Sequence, residues 1–382
     1  MRALTVALAC LTATAAAVVA PASTAQAVTC KPPTTLLSRT PLVRQLPSGA
    51  VMRVWDTGPT SDPMKSQRIV AVTIPRTSAL RGGVTWPGAL TSRRTVAQYA
   101  QSISGSVVAV NGAVFDPGTG VPVATVQRNG VPLKGIASVR YVVAFGPDRK
   151  ATMDSLTLSG TARAHGYSWR TTGLNWNTVA GTGINVYTTA WGAKSRPYGT
   201  VDVVVANGKV VARRTGTARG AYPRSGQVIL TATGTAGTQL SAARVGDAVS
   251  LSYRLVSGSG ATVVDAVTRG HRYVDGSYSD GGSCSTRDEQ VRPRTAIAWT
   301  AAGDTMVVTV SGRAVINGTM YGGSTHHQMP TYLRQLGAYQ AVGLDGGGST
   351  TMYVRSTVSG SPYRVDRPST SLRPVPNALF WR

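Results

Sequence analysis

Short runs of β-branched residues, each closed by glycine, asparagine or proline, recur along nearly the whole chain. Ile69-Val70-Ala71-Val72-Thr73-Ile74, Val107-Val108-Ala109-Val110 and Asp202-Val203-Val204-Val205 are of this kind. Such runs suit a pleated, half-buried surface better than a helix. Composition points the same way. Of 15 acidic residues only Glu289 is a glutamate, and 43 glycines and 21 prolines interrupt the 382 residues. With glutamate this scarce and glycine and proline this frequent, a helical bundle and a coiled coil are excluded. Hydrophobic residues make up 42%, enough for a sizeable core, so a disordered chain is excluded too. The expected class is α+β: a strand-rich mixed sheet with few helices and a strand-rich middle section, rather than a doubly wound sheet.

The first 27 residues read as a secretory signal peptide. Arg2 is the basic start, Ala3 to Ala20 is an apolar run, and Ala25-Gln26-Ala27 is the cleavage pattern. No later run of 18 apolar residues occurs, so no membrane span is expected. The expected location is secreted, extracellular. Cys10 leaves with the leader, and the even pair Cys30 and Cys284 is expected to form a disulfide in an oxidising compartment. The net charge of +24 favours polyanions in general, including anionic cell-wall polymer. The arginines are scattered and no DNA-binding signature occurs, so no specific nucleic acid is expected.

Residues 28–50 form a Pro- and Thr-rich extension expected to wrap the surface. A short helix is expected over 91–103, and Asn207-Gly208 marks a hairpin. Residues 265–290 are polar, rich in Gly and Ser, and read as a long loop. Thr325 and Gln328 fit a capping box for a later helix that Gly337 would stop. Pro330 suits a helix interior badly, which argues for a start at Met329.

That helix leads to the most informative stretch, Ala341-Val342-Gly343-Leu344-Asp345-Gly346-Gly347-Gly348-Ser349-Thr350-Thr351. A carboxylate at a strand end, followed by three glycines and a row of hydroxyls, can place backbone N–H groups and side-chain donors around an anion. No phosphate-loop lysine follows, and neither a zinc-protease motif nor a nucleophile elbow occurs anywhere. Adjacent His326 and His327 are read as helix-surface residues, and Trp191 as core. Trp176, Tyr198 and Tyr321 are candidates for stacking on a sugar. No metal site and no cofactor are expected.

Several blocks, in order, resemble the phosphodiester glycosidase family. They are Val110-Asn111-Gly112-Ala113-Val114-Phe115, Asn185–Gly192, Arg292-Pro293-Arg294-Thr295-Ala296-Ile297, Ser311-Gly312-Arg313, Leu344–Met352 and Arg373-Pro374-Val375-Pro376-Asn377-Ala378-Leu379. The resemblance runs from about residue 50 to the end. The chain departs from the family pattern at Ala113, Val114, Ala124, Thr268-Arg269 and Asp366.

The resemblance implies one catalytic domain over 51–382 and a secreted hydrolase. It would cleave the bond between a sugar's anomeric carbon and a phosphodiester in a carbohydrate substrate from cell wall or exopolysaccharide. Near the matched blocks the carboxylates are Asp116, Asp345 and Asp366. Asp345 is expected at the anomeric centre, with Arg294 and Asn111 as its catalytic partners. Gly346, Gly347, Gly348, Ser349, Thr350, Thr295 and Arg373 are expected to bind substrate. The alternative is a non-catalytic binder of anionic exopolysaccharide or cell-wall polymer.

Overall fold

The structure is a computed structural model that describes residues 30, 35–57, 67–216, 220–268, 270–280, 290–312, 314–316, 319–366 and 372–382. The signal-peptide reading of 1–27, Cys284, Arg269 and Arg313 lie outside the described residues. Strands dominate, as the β-branched runs require. No helix among the described residues is long and apolar enough to cross a membrane.

Three sheets carry the fold. An eight-stranded antiparallel sheet has Arg68–Ile74, Thr305–Ser311, Arg294–Trp299 and Gln340–Gly343 at its centre. Leu42–Gln45 extends one edge by pairing with Val51–Asp56, so part of the N-terminal extension is an exposed edge strand. A five-stranded sheet runs Tyr363–Arg364, Met352–Val354, Val108–Asn111, Ala378–Trp381, Gly82–Thr85. An eleven-stranded sheet forms the middle section and is mixed, because Tyr167–Leu174 pairs parallel with Ile184–Tyr187. The largest apolar cluster draws on all three, with Val70 and Val72 from the first, Val108 and Val110 from the second, and Val126, Val143 and Ile229 from the third.

Local signals decide several details. Asn207 and Gly208 both take positive φ (49° and 69°), the two-residue turn that joins Val201–Ala206 to Lys209–Thr215. The first helix is Val96–Ser102, shorter than the sequence pattern suggests because Thr95 caps it with Gln98 in a capping box. The later helix is Gln328–Gln335. Gln328 N–H donates to Thr325 Oγ1 at 3.1 Å and Thr325 N–H to Gln328 Oε1 at 3.0 Å. Pro330 falls in the first turn, where a missing N–H costs no helical bond, so it does not delay the helix start. At the other end Ala338 N–H reaches Leu333 O and Gly337 N–H reaches Arg334 O, with Gly337 at φ 94°.

Residues 265–290 are not one loop. Asp265–Thr268, Arg272–Asp275 and Tyr278–Ser279 are strands. Ala266, Val267, Tyr273 and Val274 are buried there, and this burial outweighs the polar composition that hid it.

Candidate functional site

Asp345 follows the central strand Gln340–Gly343, where the eight-stranded and five-stranded sheets meet. Its N–H donates to Gly112 O at 3.0 Å, just past the strand Val108–Asn111. Its own carbonyl accepts from Asn111 Nδ2 at 2.8 Å. Asn111 is fully buried, and its Oδ1 takes the Thr295 hydroxyl at 2.9 Å and Thr351 N–H at 3.1 Å. The Thr295 hydroxyl oxygen is also paired with Thr350 Oγ1 at 3.2 Å. Asn111, Thr295 and Thr350 therefore lie in the wall behind the carboxylate, bonded to one another and to the turn.

The glycines shape that turn. Gly347 sits at φ 60°, a left-handed conformation that a side chain would strain. A Cβ on Gly348 would fall 2.8 Å from the Arg373 guanidinium carbon, so its bareness lets Arg373 approach. Gly346 N–H donates to Asp345 Oδ1 at 2.9 Å and Gly347 N–H to Pro293 O at 2.7 Å. These two amides hold the protein's own groups rather than standing open to an anion.

A cleft of about 710 Å³ opens in front of Asp345. Among the described lining residues Asp345 is the only carboxylate, while Arg140, Arg292, Arg294, His271 and His326 bring ring and guanidinium nitrogens. Burial pushes the Asp345 carboxyl up to about 6, against the lowering effects of the Ser349 hydroxyl, the Gly346 N–H and the charge of Arg373. Such a group changes protonation near neutrality, as acid–base and nucleophilic carboxylates do.

Arg294 is held on three sides. Nε donates to Ser324 O at 3.1 Å, Nη2 to Gln290 O at 2.9 Å, and Nη1 lies 2.7 Å from His326 Nε2. A guanidinium only donates, so His326 Nε2 accepts and its Nδ1 carries the proton toward Tyr273 Oη, 2.6 Å away. His271 lies beside it, ring centroids 4.1 Å apart. His326 is thus in the cleft just ahead of the helix, not on the helix surface. The capping box turns it inward, which its sequence neighbours do not reveal.

The structure brings Asp345, Arg294, Gly346 and Gly347 to the cleft, sets Arg373 and Ser349 beside Asp345, and puts Asn111, Thr295 and Thr350 behind it. The other two candidate carboxylates lie away from the lining. Asp116 accepts from Gly118 N–H at 2.9 Å in a local turn, and Asp366 is buried against Arg364 and Met352 N–H. Trp191 is core, packed edge-on to Tyr187, and Trp176 packs on Lys134. Tyr198 is exposed and does not line the cleft, and the Tyr321 side chain lies outside what is described. Arg140 and Tyr141 escaped the sequence reading, and Arg292, which opens a matched block, and His271 were not expected in the site. Arg140 and Tyr141 sit in a run that reads as an ordinary strand, and no local signal marks them.

Residues 200–381 match the family model of phosphodiester glycosidases, so the resemblance read from the motifs holds over that part of the chain. No curated protein matches the chain. Among solved structures, a hypothetical protein from Synechocystis is 21% identical with a TM-score of 0.71, over 90% of this chain and 64% of that one. This chain thus spans less than two thirds of that protein's length. A Burkholderia pseudomallei protein, named as a candidate exported protein, is 19% identical with a TM-score of 0.62, over 82% of this chain and 74% of that one. The catalytic domain of zebrafish N-acetylglucosamine-1-phosphodiester α-N-acetylglucosaminidase, auto-inhibited by its pro-peptide, is 12% identical with a TM-score of 0.45, over 90% and 88%. At these identities the first two likenesses speak to the fold alone, and the third carries no argument.

Proposed function

From the family match over residues 200–381 and the cleft that its signature turn borders, we propose that the protein is an exported hydrolase of sugar-1-phosphodiesters. The observation that carries the reading is one half-ionising carboxylate, Asp345, in a cleft whose described lining also holds three arginines and two histidines. Hydrolysis breaks the bond between C1 and the phosphate oxygen. The electron pair leaves with the phosphate, and water supplies the hydroxyl at C1. A phosphate leaving group is already acidic, so a second carboxylate to protonate it matters less than for an alcohol. Arg294 and Arg373 stabilise the departing negative charge instead. Asp345, ionised above pH of about 6, serves the positive charge that develops at C1. Asn111, Thr295 and Thr350 keep it in register.

Export fits the leader-like start, and a Cys30–Cys284 bridge would suit an oxidising compartment. The test is release of free reducing sugar from a panel of sugar-1-phosphodiesters. Release from at least one member, lost in Asp345→Asn, is the expected result. Tight binding of anionic glycans with no release from any diester would make the protein a binder instead.

A further inference from the structure

The outer face at one end of the eleven-stranded sheet gathers positive charge away from the cleft. Three neighbouring strands, Tyr167–Leu174, Ala151–Ala164 and Val249–Ser257, pair antiparallel in that order. Side chains alternate across a strand, and Leu158, Ala162 and Trp169 take the inner face, where they join an apolar cluster. The same alternation turns their neighbours outward. Arg163 stands between Ser168 and Ser250, Arg170 is opposite Thr161, and Arg254 is opposite Ser159. All of these are exposed except Thr161, which is half-buried.

The charge on this face has one sign. From Ser155 to Arg163 every outward position of the middle strand is Ser, Thr or Arg. Asp154 falls in the inward register and is occupied by the Ser257 and Ser259 hydroxyls at 2.6 and 2.9 Å. Asp247, ahead of the third strand, is 2.9 Å from His165 Nδ1. Among the described residues no carboxylate pairs with Arg163, Arg170 or Arg254. Arg163 and Arg170 make only 3.4 Å contacts, to Ser168 Oγ and Ala137 O, and the Arg254 side chain makes no hydrogen bond among the described residues. Like charges gathered on one sheet face repel one another, and a bound polyanion would relieve that repulsion.

We propose that this face binds a linear anionic glycan outside the cleft. The guanidinium forks take its anionic groups, and the rows of Ser and Thr meet its hydroxyls. The other polyanions fit less well. A single-stranded nucleic acid needs aromatic platforms and a duplex needs an element that enters a groove, and these outward positions supply neither. A membrane surface needs apolar side chains to insert, and Val256 is the one apolar residue at the outward positions of Val249–Ser257. None of these residues lines the cleft, so the proposal does not rest on the hydrolase reading.

The test is calorimetric titration at low salt with polygalacturonate, a linear glycan with a carboxylate on every sugar, and with its neutral methyl ester. The wild type should bind the acid form and not the ester. Replacing Arg163, Arg170 and Arg254 together by Ser should raise Kd roughly tenfold. Arg254→Ser alone, which breaks no hydrogen bond among the described residues, should raise it about twofold. A control variant loses three exposed arginines elsewhere, Arg39, Arg44 and Arg224, and has the same net charge as the first. Its Kd should rise by less than about twofold, since charges beyond a Debye length contribute little. Equal losses in the two triple variants would mean that net charge alone holds the glycan and would overturn the surface, as would no binding by the wild type. A thymidine oligomer that weakens in the first variant as much as the glycan does would overturn the assignment to a glycan. Asp345→Asn should bind polygalacturonate as the wild type does, whereas absent sugar release in the wild type would count against the hydrolase reading alone.

Discussion

Replacing Asp345 by Asn should make the protein more stable and almost inactive at the same time. Burial holds the Asp345 carboxyl at about 6, against an ordinary value of 3.8. The folded chain therefore keeps this proton more tightly than the unfolded chain does. Well below pH 4 both states are protonated and Asp345 costs the fold nothing. As pH rises toward 6 the unfolded chain ionises first, and the stability once held by the proton is lost. Two units at about 1.4 kcal/mol each put the full penalty near 3 kcal/mol above pH 6, an upper figure. Asn carries no charge at any pH and keeps an oxygen to accept from Gly346 N–H. The variant's advantage over the wild type should therefore grow by up to about 3 kcal/mol between pH 4 and pH 7, or about 5 °C in Tm. Sugar release should fall on the order of 10³-fold, because Asn can neither attack C1 nor answer its charge. In the wild type, kcat/KM should fall on the acid side with a midpoint near pH 6. Thermal unfolding of both proteins at the two pH values is the assay. A stability gap that does not change between pH 4 and pH 7 would refute the buried, penalised carboxylate.

Lys134 is fully buried against Trp176 and Trp191 and donates to Asn175 O, and burial pushes its ammonium well below the ordinary lysine range. The unfolded chain then binds the extra proton, so stability should climb toward alkaline pH by up to about 1.4 kcal/mol per unit until the free lysine also deprotonates. Urea unfolding of Lys134→Met from pH 7 to 9 should lose that climb, and identical slopes would show that the lysine is charged in the fold. Asn111→Ala removes the bonds to Asp345 O, Thr295 and Thr351 N–H, and should cost about 3 kcal/mol in denaturant unfolding along with most of the turnover. Peptide mapping without reductant should recover Cys30 and Cys284 in one linked species from protein made in an oxidising host, and two free thiols would count against the bridge.

The strand content was legible because Ile69–Ile74 and Val107–Val110 have no other stable use, and Asn207-Gly208 and Thr325–Gln328 carry their own turn and cap chemistry. Asp345 was legible for the same reason, since three glycines after a buried strand demand an unusual backbone. What stayed hidden depends on contacts between distant segments. Arg272–Asp275 is polar by composition and becomes a strand because a neighbour waits at Val342 and Ala341. His326 reaches the cleft through a cap two residues wide, and Arg140 becomes notable only because its buried Nε has no partner among the described residues. The roles of Asn111, Thr295 and Thr350 changed with the fold as well. Their polar side chains suit substrate, but the structure uses them behind the carboxylate.

The turn after Asp345 is riveted to two sheets at once. Asp345 N–H is bonded to Gly112 O beside one sheet and Gly347 N–H to Pro293 O beside the other. Local fraying cannot break these bonds singly, because Asn111 clamps the same turn from behind. The amides of Asp345 and Gly347 should therefore exchange their hydrogens for deuterium only when the seam itself parts, at the rate of global opening. In the proposed reaction substrate would consequently meet a cleft whose carboxylate is already in place, and on heating that carboxylate should stay in place until the sheets around it separate.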